Sequence, residues 1–224
     1  MSEYLKSRFF VQSMLIFTGG PLFIWGMGRM TERSFLKESL SILTILAFFQ
    51  VISQFYLSRS NGPAVAEVTM GRMARVHNFS GYTAITILLI HPVLLVIPRF
   101  FESGVTPLDA FWSILTRAGV AIQTFTTPGV ILGVIAWCLL LLLGATPLLR
   151  KILPLKYTTW RLIHGMLSAL FIFSASWHVI DLGRHSNSSM ALYIGILSAS
   201  GVFLLLKNYC SKSAKLNGDT NGNV

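Results

Sequence analysis

With 224 residues, of which 53% are hydrophobic and only 12% charged, and a mean hydropathy of +0.65, the chain does not have the composition of a water-soluble globule. Its net charge of +10 raises the question of nucleic-acid binding. The basic residues, however, sit in short segments between apolar runs, with no aromatic-basic binding motif, so membrane topology accounts for them better.

Six apolar runs are long enough to cross a bilayer, which takes about 17–25 residues: 9–27, 39–57, 77–98, 129–148, 160–180 and 189–207. The first follows Lys6 and Arg8, as a secretory signal would. It is longer than such a signal's apolar stretch, and "WGMGRMTER" follows it in place of a small-residue cleavage site, so it reads as a retained helix. The predicted fold is therefore all-α: a polytopic six-transmembrane-helix bundle over residues 1–208, with a polar tail at 209–224 whose composition predicts disorder. Twelve of the eighteen Lys and Arg residues fall on the side that carries both termini, which predicts that both termini are cytoplasmic. The expected location is a bacterial inner membrane. Cys138 lies inside the fourth run and Cys210 in the tail, a placement that suits neither a disulfide nor a CxxC metal site.

The third run, with its approach, reads "RVHNFSGYTAITILLIHP" and carries His77 and His91. The longest loop, 99–128, follows it. There Thr106 and Pro107 form an N-cap and first-position pair, predicting a short helix on the outer membrane surface that either covers the bundle or docks a partner. The fifth run, "WRLIHGMLSALFIFSASWHVI", carries His164 and His178. The pairs 77/91 and 164/178 are each fourteen residues apart, nearly four helical turns, so both imidazoles of a pair lie within roughly 40° of one face and about 21 Å apart along the axis. The third and fifth helices are separated by one crossing and run parallel. His77 therefore faces His164 near the cytoplasm, and His91 faces His178 near the outside.

Two imidazoles on opposite sides of a flat group are the axial ligands a b-type haem requires, and two such pairs predict two haems. A zinc or di-iron centre needs three or four converging ligands, for which the acids and cysteines are missing, and a proton relay would use acids in the membrane interior. Arg72, Arg75 and Arg161 flank the inner pair, and Arg99 and Arg184 the outer, where each is either a cation for a haem propionate or a topology-setting charge. Gly81 and Gly165 either let a macrocycle approach or simply pack helices; Pro92 bends the helix at His91. His185, in "DLGRHSNSS", reads as a solvated loop residue. A quinol-oxidising di-haem cytochrome b subunit, and a haem-free transporter or channel with pore-lining histidines, remain as alternatives.

The segments "GRMARVHNFSGYTAITILLIHP" and "LKYTTWRLIHGMLSALFIFSASWHVIDLG", within a six-helix frame, resemble the ferric reductase-like transmembrane domain family, which includes ferric reductases and NADPH oxidases. The arrangement of Tyr157, Trp160, Arg161 and His164 sharpens the likeness. The resemblance implies electron transfer from a cytoplasmic donor, through an inner haem at His77 and His164 and an outer haem at His91 and His178, to an extracytoplasmic acceptor. No flavin- or nicotinamide-binding segment is recognisable here. The expected donor is therefore a separate flavoprotein, a ferredoxin-like protein or membrane quinol, with any flavin or quinone supplied by or shared with a partner.

Overall fold

The structure, a computed structural model, describes residues 7–28, 34–58, 61, 68–124, 127–152, 154, 156–183 and 185–221. Among them the fold is all-helical: α1 (Arg8–Met27), α2 (Phe35–Tyr56), α3 (Met70–Val96, continued by a 3₁₀ turn Ile97–Phe101), α4 (Pro107–Thr124), α5 (Pro128–Ile152), α6 (Tyr157–Leu182) and α7 (Ser188–Asn221). All but α4 contain a stretch long and apolar enough to cross a membrane. The chain is an integral membrane protein.

The helices extend beyond the apolar runs because an apolar run marks the width of the hydrocarbon rather than the extent of the hydrogen-bonded helix. Thus α3 begins at Met70, and His77 sits two turns inside it. Local signals set other ends. Ser34 caps α2, its hydroxyl accepting from the Lys37 amide at 3.5 Å. At α4, Asp109 N–H donates to Thr106 Oγ1 at 3.1 Å, while the Asp109 carboxylate accepts from the Thr106 hydroxyl at 2.5 Å and the Thr106 amide at 3.3 Å. This is a reciprocal cap of the kind that Thr-Pro at the start of a helix favours. Leu108, Phe111, Trp112 and Leu115 of α4 then share one exposed face at helical spacing.

A π-turn, Leu15–Gly19, interrupts α1. In its register the Ile16 carbonyl would be served by residue 21, but Pro21 has no N–H. Tyr193 of α7 supplies the donor, its hydroxyl lying 2.7 Å from Ile16 O. Gly20 makes room, since a Cβ there would overlap the phenol.

The core is formed by α2, α5, α6 and α7 around Phe49, Ile52, Leu140, Ile172, Met190 and Ile194, all nearly inaccessible. Outside it the apolar character continues: Phe173, Leu192 and Phe203 are each about two-thirds exposed. In water such a surface would associate; in a bilayer it is the lipid-facing rind. The closest helix pairings are α5 with α6 and α2 with α3. These pairings set the two histidine-bearing helices, α3 and α6, against α2 and α5 respectively.

Candidate functional site

His77 and His164 line one cavity, walled by Val51, Phe55, Ile85, Leu140, Leu143 and Phe171, with Gln54, Gly81 and Ser168 as its other lining residues. The wall is apolar apart from a few placed polar groups, the usual make-up of a cofactor site. The two rings are close enough for their charges to interact, and the same holds for His91 and His178 at the other end of the bundle. The four imidazoles thus stand as two facing pairs, one from α3 and one from α6 in each.

The α6 members are tethered through Nδ1, in both cases by α5. His178 Nδ1 lies 2.8 Å from the Gly129 carbonyl. A carbonyl only accepts, so the proton sits on Nδ1 and the Nε2 lone pair is left for an external partner. The approach is close: a Cβ at Gly133 would overlap the His178 ring, and one at Gly129 would overlap Asp181, whose carboxylate accepts from the Gly129 amide at 3.1 Å. His164 Nδ1 lies 3.0 Å from Thr146 Oγ1, and the Trp160 indole stacks on the ring with centroids 5.4 Å apart and planes 19° apart. Tyr157 stacks on Trp160 in turn, and the Arg150 guanidinium lies 5.0 Å from the centroid of each of these two aromatic rings.

The α3 members differ. Nδ1 of His77 and Nδ1 of His91 are buried with no hydrogen-bond partner among the described residues. Gln54 stands at the His77 cavity, its Nε2 donating to Ser80 Oγ at 3.0 Å and to the Gln50 carbonyl at 2.9 Å, while its buried Oε1 has no partner among the described residues. A Cβ at Gly81 would come within 3.3 Å of that oxygen.

Of the predicted cations, Arg161 has a buried Nε with no hydrogen-bond partner among the described residues, and its guanidinium lies 5.4 Å from the Tyr209 ring centroid. The Tyr209 hydroxyl donates to the Arg161 carbonyl at 2.7 Å. Burial raises the phenol above its ordinary value while the nearby Arg161 opposes that shift, so Tyr209 remains a protonated donor at neutral pH. Arg72 and Arg75 lie exposed on the first turns of α3. Arg99 is engaged by Ser113 of α4, and Arg184 lies outside the described residues.

His185 is not the solvated residue its loop sequence suggests. It is 3% exposed, with Nε2 3.1 Å from Glu38 Oε1 and its ring edge-on to Trp25, whose indole N–H donates to the same oxygen at 2.9 Å. A carboxylate some 150 positions earlier in the chain draws it inward, and nothing local to "DLGRHSNSS" signals this. Sequence reasoning also missed Thr146, Gly129, Gly133 and Gln54. The only trace of Thr146 was the pair Thr-Pro inside an apolar run.

Among the described residues no three His, Cys, Asp or Glu side chains converge, so neither imidazole pair has the third protein donor that a zinc centre needs. The model of the family described as "Ferric reductase like transmembrane component" matches residues 43–175, more than half of the chain. The protein belongs to this family. The matched segment contains His77, His91 and His164, and His178 lies three positions beyond it. An uncharacterized protein of Archaeoglobus fulgidus is 36% identical over 167 residues, covering 75% of this chain and 87% of its own length. No solved structure matches the chain. Domains of this ferric reductase-like family typically bind haem and serve electron transfer across membranes.

The imidazole sites suit such a group on their own chemistry. They offer two nitrogen donors per site, Nδ1 atoms of His77 and His91 without hydrogen-bond partners among the described residues, an apolar wall at the His77–His164 cavity, and tethers that leave Nε2 of His164 and His178 unprotonated.

Proposed function

We propose that the chain is a transmembrane electron-transfer subunit in which His77 and His164 hold one b-type haem and His91 and His178 a second. Electrons would pass from a donor on the cytoplasmic side to an acceptor on the opposite side of the membrane. When bound, haem supplies a one-electron ferric–ferrous couple. The observation that carries the reading is the arrangement of four imidazoles from α3 and α6 as two facing pairs, with the α6 members fixed in the Nδ1–H form.

The chain's own residues do four things in this account. At each site an imidazole from α3 and one from α6 would hold the group between them, an arrangement that favours electron transfer over binding of oxygen. The apolar residues lining the His77–His164 cavity lower the local polarity and so bear on potential. Arg161, Arg72 and Arg75 offer cations to anionic propionates at the His77–His164 end. The fourteen-residue spacing sets the two sites about 21 Å apart along the axis, so a bilayer is crossed in two steps. In this account the donor is a flavoprotein, a ferredoxin-like protein or quinol, and the setting is a bacterial inner membrane.

Reconstitution into sealed vesicles tests this function. With ferricyanide trapped inside and a membrane-impermeant reductant outside, vesicles holding the protein should reduce the internal ferricyanide, and protein-free vesicles should not. Equal rates with and without protein would overturn the reading.

A further inference from the structure

Pro147 of α5 has no N–H, so the Leu143 carbonyl one turn earlier lacks its usual intrahelical donor. Thr146, 6% exposed, fills the gap: its hydroxyl donates to Leu143 O at 2.7 Å. A hydroxyl has one proton to give. With that proton committed to Leu143, Thr146 Oγ1 can meet His164 Nδ1 only as an acceptor, which puts the imidazole proton on Nδ1 and the free lone pair on Nε2. Trp160 completes the arrangement, its indole N–H donating to the Thr146 carbonyl at 3.1 Å while its ring stacks on His164. Tautomer, tilt and ring plane are therefore each fixed by a separate contact, and all three contacts trace back to the turn at Thr146-Pro147.

We propose that Thr146 is a positioning residue for His164. Held by Pro147 and Trp160, it locks the Nδ1–H tautomer and makes Nε2 a stronger electron donor, and so lowers the potential of the group between His77 and His164. An Nδ1–H bonded to an acceptor raises the basicity of the ligating nitrogen, and an acceptor already polarised by its own donation to a carbonyl does so more strongly. A richer donor favours the ferric over the ferrous form. His77, across the same cavity, has no hydrogen-bond partner on its Nδ1 among the described residues, whereas His164 receives its Nδ1 contact from Thr146 of α5. A threonine serving only helix geometry would be satisfied by Leu143 alone. The proposal rests on the haem-binding reading above.

Redox titration of the purified holoprotein, followed by visible and EPR spectra, tests it. Thr146→Val keeps the shape and removes the hydroxyl. It should move the midpoint of one of the two b-type signals to more positive potential and alter that signal's ferric EPR spectrum, leaving the other unchanged. A tenfold loss of preference for the ferric form reads as about 59 mV, and loss of haem from that site should become ~10- to 100-fold easier. Thr146→Ser should restore both. If Thr146→Val empties that site, Trp160→Phe, which keeps the stack and drops the indole N–H, should shift the same signal upward. Unchanged potentials and spectra in a fully loaded Thr146→Val protein, or in Trp160→Phe where Thr146→Val empties the site, would overturn the proposal. A haem-free parent protein would instead defeat the haem reading.

Discussion

Substituting Gly133 by alanine adds one carbon atom in the most tightly fitted contact around His178. The new Cβ would overlap the imidazole at Nδ1, Cε1 and Cγ, so the whole near edge of the ring is affected rather than one flexible tip. The ring must turn or withdraw, and it then gives up the 2.8 Å bond to the Gly129 carbonyl. Leaving a buried imidazole N–H without its acceptor costs about 1–3 kcal/mol, and forcing the side chain off its rotamer costs about 0.5–1.5 kcal/mol more. The ligating geometry at His178 is thus disfavoured by about 1.5–4.5 kcal/mol, roughly 10- to 1,600-fold in population at 1.4 kcal/mol per decade. Alanine's better helix propensity, about 1 kcal/mol over glycine, strengthens α5 but does not return the ring to its place. The assay is haem content per chain by pyridine haemochrome. Gly133→Ala should retain one haem and lose most of the other, whereas Gly195→Ala, where a Cβ meets nothing within 4 Å, should retain both. Two tightly held haems with unaltered spectra in Gly133→Ala would refute the claim that α5 positions His178.

Tyr193→Phe removes the hydroxyl that serves the Ile16 carbonyl in the π-turn. It should lower stability by about 1–3 kcal/mol, read as a fall in the detergent-solubilised melting temperature with haem content preserved. Glu38→Ala takes the acceptor from the Trp25 indole and the carboxylate from His185. A loss of about 1–3 kcal/mol is expected, with Trp fluorescence shifted to the red as water reaches the cluster. Unchanged melting and emission would mean that the pair contributes nothing.

The six crossings were legible because hydrocarbon thickness leaves a length signature that no single residue can obscure. The grouping of histidines into pairs was legible for a similar reason: helix geometry converts a spacing of fourteen into a shared face, and two crossings in one direction match the depths of His77 with His164 and His91 with His178. The cap at Thr106 is a local contact among residues 106–109, so sequence suffices there. What sets the orientation of the rings was not legible. Gly129, Gly133 and Thr146 are ordinary residues for a membrane helix, and they acquire a role only because α5 lies against α6 at one particular register. His185 failed for the same reason in reverse: a polar loop predicts solvent until Glu38, on another helix, is brought 3.1 Å away. The true start of α3 at Met70 was hidden because the turns ahead of His77 carry Arg72 and Arg75, and charge masks a helix from a hydropathy reading.

The central claim is that four histidines make two haem sites. It is tested most directly by counting haem in the purified protein and in its histidine variants. The account predicts a dithionite-reduced b-type spectrum with two haems per chain in the parent. His91→Ala or His178→Ala should remove one haem, and His77→Ala or His164→Ala the other, each spectrally distinct. A colourless, stably folded parent protein, or a pair of variants such as His77→Ala and His164→Ala that removed different haems, would contradict it.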